Sequence, residues 1–237
     1  MVDGYDRIKR AAHLSYIPMP GSSFAVREPW RMAVSYLYDT LGENMWDMEG
    51  FLLQTTDRKK SEILVEMIRK NINTPLTSSI GRLFDAVSAI TGIRHQVSFE
   101  GQAAMELELM ADLNDEIPAY DFEWTGGDPK IIQTRPMIRG IIDDLKKGMG
   151  KAEISSRFHA TLIRLFSDLC QDIRKQTDID QVVLSGGVFQ NAILLTGLVG
   201  GLEKKGFRVF SHSIVPTNDG GISLGQAVAA AAIVNTL

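Results

Sequence analysis

The sequence predicts an α/β fold, and two observations carry this prediction. The first is a succession of four segments near the carboxyl end. A short apolar run at 181–184 is followed by the pair Gly186-Gly187, an apolar helical stretch and a second strand pattern at 207–210. This order is typical of a βαβ unit, in which the two strands run parallel. The second is a series of amphipathic segments whose apolar residues recur every three to four positions, as in helices that pack on a core.

Composition excludes several classes of protein. Charged residues make up 23% and hydrophobic residues 44% of the 237 residues, as in ordinary globular proteins. A single cysteine, Cys170, excludes a disulfide framework. The net charge of −4 argues against nucleic acid as a partner. No apolar run is long enough to span a membrane and no signal core is present, so we expect a cytoplasmic protein.

The elements follow in order along the chain. Residues 1–25 are predicted to be extended or irregular, with Pro18, Pro20 and Gly21 as breaks. Helices are predicted from Pro29, from Ser61 to about 73, over 79–90 and over 100–110, the last capped by Ser98. Alternation predicts strands at 120–124 and 131–133. Further helices are predicted at 136–147 and around 154–169, then a buried strand at 181–184, a helix at about 191–205 and a thin, alanine-rich helix from 222 to 234.

Two glycine-rich turns are candidates for anion binding. Gly186 and Gly187 lie between a strand and a helix, where backbone N–H groups and the helix dipole favour phosphate. The alternative is a tight turn in which glycine only permits the backbone angles. Asp219 lies in a second such turn, before Gly220-Gly221. Either Asn218 or Asp219 simply caps the following helix, or Asp219 is a carboxylate that holds a metal ion beside bound phosphate.

A second group of candidates lies earlier in the chain. Gly81 and Arg82 are at a helix start and Asp85 is one turn further on, where its carboxylate could accept hydrogen bonds from a ribose. Glu100, followed by Gly101, starts the next predicted helix and is a second ribose candidate. The alternatives are a solvated helix face for Asp85 and a favourable helix-dipole interaction for Glu100. The four histidines show no helical metal-binding spacing, and no Ser/His/Asp arrangement is evident.

Four motifs, in this order, resemble the C-terminal part of the HypF family of carbamoyltransferases, which act in [NiFe]-hydrogenase maturation. They are residues 79–87 (SIGRLFDAV), 100–104 (EGQAA), 184–191 (LSGGVFQN) and 218–227 (NDGGISLGQA), and residues 27–31 (REPWR) fit as well. The resemblance implies an actin/sugar-kinase/Hsp70-like (ribonuclease-H-like) ATPase fold. The chain would hold one full lobe and part of the other, with a helical insertion: 1–25 as a remnant of the first lobe, 26–75 as the helical segment and 76–237 as the nucleotide-binding lobe.

The same resemblance implies an activity and its ligands. Such proteins make carbamoyl-adenylate from ATP and carbamoyl phosphate, and pass the carbamoyl group to the C-terminal cysteine of HypE. ATP, ADP or carbamoyl-adenylate would bind here, together with a divalent metal (Fe, Zn or Mg). Carried over by position, the residues around the nucleotide would be Gly81, Arg82, Asp85, Glu100, Gly101, Gly186, Gly187 and Asn191, and Asp219 would be a metal ligand.

The chain also departs from the family pattern. The family's metal site uses an HxxxH pair and a further aspartate, and this sequence has no HxxxH. We therefore expect a fragment with an incomplete metal site, weak metal binding and impaired transfer on its own. Two other functions remain open at this point: a small-molecule kinase of the same superfamily, and a non-catalytic module that binds nucleotide or a partner. Apolar surface left by a missing lobe would favour a homodimer.

Overall fold

The computed structural model describes residues 1–3, 7–48, 57–112 and 117–235. The chain forms two compact units. The helical unit comprises residues 14–124 and 132–161, and the βαβ unit comprises residues 1–13, 125–131 and 162–237. These units divide the chain differently from the lobes that the family resemblance implies, and the lobe boundaries near 25 and 75 stay a prediction.

Helices dominate the described residues, and the strands are short. The helices are α1 Phe24–Arg27, α2 Pro29–Leu41, α3 Arg58–Arg69, α4 Ile80–Ile90, α5 Gln102–Met110, α6 Arg135–Lys146, α7 Lys151–Thr177, α8 Ala192–Lys204 and α9 Ile222–Asn235. The strands are β1 Val2–Asp3, β2 Arg7–Ile8, β3 Ala12–Leu14, β4 Ile17–Pro18, β5 Leu76–Thr77, β6 Glu123–Thr125, β7 Lys130–Gln133, β8 Gln181–Leu184 and β9 Arg208–Ser211. No described helix is both long and apolar enough to cross a membrane.

The core of the helical unit is built around α2 and α4. Pro29 begins α2, where a missing N–H costs nothing, and Ser79 caps α4 by accepting the N–H of Arg82. Phe84 on α4 is fully buried and meets Phe158 of α7 edge to face, with 4.9 Å between the ring centroids. This packing holds α4 in place and buries Asp85, which lies next to Phe84 in the sequence.

The βαβ unit confirms the parallel pairing predicted from the sequence. Strands β8 and β9 run parallel in the register Gln181↔Arg208 to Leu184↔Ser211, and α8 connects them. Asn191 caps α8, because its side-chain oxygen accepts the N–H of Leu194 at 2.8 Å. The buried face of α8 presents Leu194, Leu198 and Leu202. The strand, glycine turn and crossover helix therefore form as their residues predict.

Three predicted boundaries are wrong, each for a local reason. Helix α3 begins at Arg58, not Ser61, because the Asp57 side chain accepts the N–H of Lys59 and caps the helix earlier. Helix α5 begins at Gln102, because Ser98 does not cap it: the Ser98 N–H instead donates to Gln102 Oε1 at 2.7 Å. Strand β6 spans only Glu123–Thr125, and residues 120–122 lie outside it.

The prediction of a buried strand at 181–184 is also wrong. Only Leu184 of β8 is buried, and the Val183 side chain is 68% exposed. Among the described residues β8 pairs with β9 alone, in a two-stranded sheet. Strands in parallel sheets are normally covered on both faces, so the apolar sequence of β8 is typical of a burial that the described residues do not supply.

A matched pair of glycines in α8 tests its packing on α7. A Cβ at Gly197 would lie 2.2 Å from Ile163 Cδ1, whereas a Cβ at Gly200 meets nothing within 4 Å. We expect Gly200→Ala to raise the free energy of unfolding by up to about 1 kcal/mol, because alanine favours helix. Gly197→Ala should lower it by about 1–2 kcal/mol, because overpacking outweighs that gain. Urea denaturation of both variants measures the difference, and a stabilising Gly197→Ala would contradict the close packing.

Candidate functional site

The loops that follow β8 and β9 lie side by side. We call residues 185–191 the glycine loop and residues 212–221 the return loop. Because the strands are parallel, both loops leave the same edge of the sheet. Two hydrogen bonds join them: the Gly186 N–H donates to the Thr217 carbonyl at 2.9 Å, and the Thr217 hydroxyl donates to the Gly186 carbonyl at 3.1 Å. The two glycine-rich motifs, about 30 residues apart in the sequence, thus form one structure.

The glycine loop depends on a backbone conformation that is nearly exclusive to glycine. Gly186 has φ 111° and ψ 155°, a region that other residues avoid. A one-turn 3₁₀ helix, Gly187–Gln190, follows and leads into α8. The loop therefore lies at the amino end of a 13-residue helix, where the helix dipole favours an anion. The Oδ1 atom of Asn191 is used in capping α8, so a direct role of Asn191 in binding would fall to other atoms.

The return loop is shaped by Asn218 and by a close backbone approach. The Asn218 side chain accepts the N–H of Gly220 at 3.1 Å, so Asn218, not Asp219, caps this turn. A Cβ at Gly221 would lie 2.5 Å from the Pro216 carbonyl oxygen, so the backbone requires glycine there. Asp219 lies in a short 3₁₀ helix, Asp219–Gly221, and its predicted role as a metal ligand stays a prediction.

The described residues do not fit a complete metal site. In the part of the chain that the structure describes, no three His, Cys, Asp or Glu side chains lie close enough to hold an ion together. A lone carboxylate such as Asp219 does not supply the several oxygen ligands that Mg²⁺ or Ca²⁺ takes. No chemical step is therefore assigned to a metal in this chain.

A Ser–His pair at the same sheet edge was missed by the sequence analysis. Ser185 is the first residue after β8 and His212 is the first after β9, and His212 Nε2 lies 2.8 Å from Ser185 Oγ. This is hydrogen-bonding distance, and the contact is a third link between the glycine loop and the return loop. The two residues are 27 positions apart, and only the parallel register brings them together. Only the register of β8 and β9 could have identified this pair.

A buried ion pair marks the second candidate region, in the helical unit. Arg82 and Asp85 lie one turn apart on α4, with Nη1 and Oδ2 2.7 Å apart and side chains that are 12% and 4% exposed. The same two atoms make no hydrogen bond in spite of this distance, because the geometry is unfavourable. The Tyr36 hydroxyl on α2 and the Ser88 hydroxyl on α4 are buried without a hydrogen-bond partner too.

Buried polar atoms normally have a hydrogen-bond partner, so these four atoms need one, such as a water molecule or a ligand hydroxyl. Burial raises the pKa of Tyr36, and the charges of Asp39, Arg82 and Asp85 also act on it. Tyr36 therefore lies within electrostatic reach of the Arg82–Asp85 pair. The position of Tyr36 in the sequence gives no sign of an unpaired hydroxyl.

The pKa of Asp85 is raised from 3.8 to about 6. Burial is the largest cause, the Arg82 guanidinium opposes it, and the negative charge of Glu100 adds to the rise. Glu100 lies in the turn before α5 and is exposed, and Gly101, with φ 83°, caps α5. Gly81 lies in the first turn of α4, next to Arg82. The interaction of Glu100 with Asp85 shows that these motifs come near each other, as the prediction of a shared ribose site requires.

The predicted nucleotide residues thus belong to both units. The helical unit holds Gly81, Arg82, Asp85, Glu100 and Gly101, and the βαβ unit holds Gly186, Gly187, Asn191 and Asp219. The REPWR motif lies elsewhere in the helical unit. Glu28, Trp30 and Arg31 line a cleft of about 490 Å³ that none of the predicted site residues reaches.

The charges around Asp85 are tested by its titration. Glu100→Gln should lower the pKa of Asp85 and Arg82→Gln should raise it, because each variant removes one of the charges that act on it. Glu62→Gln, which removes a carboxylate from an exposed ion pair on α3, is the control and should leave the pKa unchanged. Carbon-13 NMR of the Asp85 carboxyl carbon follows the titration. An unchanged pKa in Glu100→Gln would show that the two side chains do not interact.

The raised pKa of Asp85 also predicts how the free energy of unfolding changes with pH. Folding raises the pKa of Asp85, so the folded state takes up its proton more readily than the unfolded state between pH 3.8 and about 6. The free energy of unfolding should therefore fall as the pH rises through this window, by the contribution of this group. Asp85→Asn should remove that contribution. Urea denaturation at several pH values measures it, and identical pH profiles for the two proteins would contradict the assignment.

Comparison with known proteins identifies the family. Residues 1–226 match the family model described as "Carbamoyltransferase, Kae1-like Domain, second subdomain". The chain is 33% identical to Carbamoyltransferase HypF of Synechocystis over 236 residues, which cover 93% of this chain and 30% of that protein. It is 34% identical to Carbamoyltransferase HypF of Rhodobacter capsulatus over 233 residues, which cover 98% of this chain and 29% of that protein.

A solved structure agrees with these relatives. The crystal structure of full-length HypF in its phosphate- and nucleotide-bound form matches with a TM-score of 0.90 and 42% identity, over 97% of this chain and 30% of that one. The chain thus spans about 30% of the length of these relatives. The motifs, the fold and the comparisons agree, and the chain belongs to the HypF carbamoyltransferase family, within which it corresponds to the second subdomain of the Kae1-like domain.

Proposed function

We propose that this chain is the nucleotide-binding part of a carbamoyltransferase. It holds ATP, ADP or carbamoyl-adenylate while the carbamoyl group passes to the C-terminal cysteine of a HypE-type acceptor. The observation that carries the proposal is the pair of loops joined at Gly186 and Thr217, at the amino end of α8. A related HypF has been solved with phosphate and nucleotide bound, which supports a nucleotide as ligand.

The glycine loop would hold the phosphates of the nucleotide. Its anion-binding capacity comes from the backbone and from the dipole of α8, so it needs no basic side chain. Gly186 has no Cβ atom, and no other atom lies within 4 Å of the position that a Cβ would take. A phosphate can therefore approach the backbone closely.

The Arg82–Asp85 pair would bind the ribose. A ribose diol both donates and accepts hydrogen bonds, and the unsatisfied Arg82 Nη1 and Asp85 Oδ2 offer one donor and one acceptor. Buried groups without partners make such a site selective, because a ligand that lacks the hydroxyls leaves those groups unpaired. Glu100 would contact the ribose from the next turn.

The transfer step follows from these contacts. The acceptor thiolate attacks the carbamoyl carbon of carbamoyl-adenylate, so an S–C bond forms and the C–O bond to the phosphate breaks. AMP leaves with the electron pair, and negative charge grows on its phosphate. Backbone N–H groups of the glycine loop would stabilise that charge, as an oxyanion hole does. Ser185, the first residue of the glycine loop, is held by His212 and would donate a further hydrogen bond.

The finer fold assignment belongs to the same proposal. The parallel β8–α8–β9 unit, with a glycine loop at the carboxyl edge of β8, supports a ribonuclease-H-like lobe of the actin/sugar-kinase/Hsp70-like ATPases. Asp219 would be one ligand of a divalent metal, and the described residues do not provide the further ligands that the ion would need.

Gly186→Ala tests the phosphate loop against a matched control. Gly206 also has a positive φ, 77°, but follows α8 at its other end. Both substitutions strain the backbone, by about 1–3 kcal/mol. Only Gly186→Ala should weaken ATP binding, at least about tenfold, while Gly206→Ala stays within about twofold. Calorimetric titration with ATP measures both variants, and equal losses would contradict the role of the glycine loop.

The carbamoyl-transfer proposal has its own test. The chain is mixed with chemically prepared carbamoyl-adenylate and a HypE-type acceptor, and mass spectrometry looks for carbamoylation of the acceptor's C-terminal cysteine. Because transfer by this fragment alone is expected to be impaired, we expect slow transfer that still exceeds the rate without the chain, and a clear loss with Asp85→Asn. ATP consumption with a panel of sugars serves as a parallel assay, and sugar phosphorylation without carbamoylation would identify a kinase instead.

A further inference from the structure

Ser185 and His212 bring a hydroxyl and an imidazole ring together where β8 and β9 end. Leu184 and Ser211 are register partners, so the residues that follow them, Ser185 and His212, leave the sheet at the same edge. His212 Nε2 lies 2.8 Å from Ser185 Oγ. Both residues are exposed, so a ligand at the glycine loop can reach the hydroxyl. What this pair offers to a ligand depends on which of the two atoms carries the hydrogen.

The hydrogen bond between Ser185 and His212 can form in two ways. A serine hydroxyl donates one hydrogen and accepts through two lone pairs, and a neutral histidine ring has one N–H and one bare nitrogen. If Nε2 is bare, the Ser185 hydroxyl donates to it and presents only lone pairs to a ligand. If Nε2 carries the hydrogen, it donates to Oγ and leaves the Ser185 hydroxyl free to donate elsewhere. The described residues provide no hydrogen-bond partner for His212 Nδ1, so none of them fixes the tautomer.

A phosphate group distinguishes between these two forms. Its ionised oxygens accept hydrogen bonds, so they bind a hydroxyl through its hydrogen and not through its lone pairs. The Gly186 N–H is not available to such an oxygen, because it already donates to the Thr217 carbonyl at 2.9 Å. The Ser185 hydroxyl is therefore a valuable donor at this end of the glycine loop. Only the form in which His212 Nε2 carries the hydrogen makes that donor available.

We infer that His212 is a positioning residue for the phosphate end of the nucleotide: its Nε2–H donates to Ser185 Oγ and so directs the Ser185 hydroxyl to a phosphate oxygen. The inference rests on the proposed function, since it requires a nucleotide at the glycine loop. His212 acts through Ser185 and does not itself contact the ligand. The two hydrogen bonds strengthen each other, because a hydroxyl that accepts a hydrogen bond becomes a better donor.

Calorimetric titration with ATP tests the connection between the two side chains. His212→Ala should weaken ATP binding about threefold to tenfold, because the Ser185 hydroxyl is then no longer held. Ser185→Ala should weaken it at least as much, because the donor itself is lost. The double variant should bind ATP no more weakly than Ser185→Ala alone, since His212 acts only through this hydroxyl. A merely structural role of His212 would instead make the double variant weaker than either single variant.

Two further variants complete the titration. His212→Gln should restore ATP binding to within about twofold of the unchanged chain, because the glutamine amide N–H can replace Nε2–H as donor. Ser211→Ala is the matched control. Ser211 is the exposed last residue of β9, next to His212 in the chain. Its variant should also bind ATP within about twofold of the unchanged chain.

Nitrogen-15 NMR of the His212 ring reports the tautomer directly. In the ATP-bound chain at about pH 8, where an ordinary histidine ring is neutral, Nε2 should have the chemical shift of a nitrogen that carries a hydrogen. A bare Nε2 in the bound chain overturns the inference. So does a His212→Ala variant that binds ATP like the unchanged chain, or a double variant clearly weaker than Ser185→Ala. If the unchanged chain does not bind ATP at all, the proposed function fails and the inference fails with it.

Discussion

The parallel pairing of β8 and β9 is the constraint on which the rest of the candidate site depends. It sends the glycine loop and the return loop out of the same edge of the sheet. Two hydrogen bonds between Gly186 and Thr217 then fix their separation, and the Ser185–His212 contact adds a third link. Asn191, the last residue of the glycine loop, caps α8, so the amino end of this helix directly follows the loop. Without the β8–β9 pairing, the glycine loop and the return loop would not lie together at the amino end of α8, where the helix dipole favours an anion.

The helical unit contributes the buried Arg82–Asp85 ion pair, and burial changes the chemistry of this pair. Removing Asp85 from water raises its pKa to about 6, and the Arg82 guanidinium offsets only part of the penalty. A buried ion pair whose facing atoms lack a hydrogen bond is a poor source of stability, since the cost of desolvation can exceed the attraction. Under the proposed function, a ligand hydroxyl would be the missing partner of this pair. Tyr36, also buried without a hydrogen-bond partner, is part of the same polar environment.

Local signals predicted local structure, and tertiary arrangement decided the rest. The βαβ order and the helices over 79–90 and around 154–169 were predictable because each depends on spacing within one or two elements. Ser185 and His212 were not, because the strand register and not sequence distance joins them. The sequence of β8 is that of a buried strand, yet Val183 is exposed, since burial depends on what covers the sheet. Ser98 resembles a helix cap in sequence but donates to Gln102, which begins the helix two residues later than expected.

Backbone amide mapping tests the central claim most directly. Nitrogen-15 spectra of the chain are recorded as ATP is added, with each amide assigned. If the joined loops bind phosphate, the largest shifts fall on the amides of Gly186, Gly187 and the return loop. ATP binding that leaves the Gly186 and Gly187 amides unshifted would contradict the account, because the phosphates would then lie elsewhere.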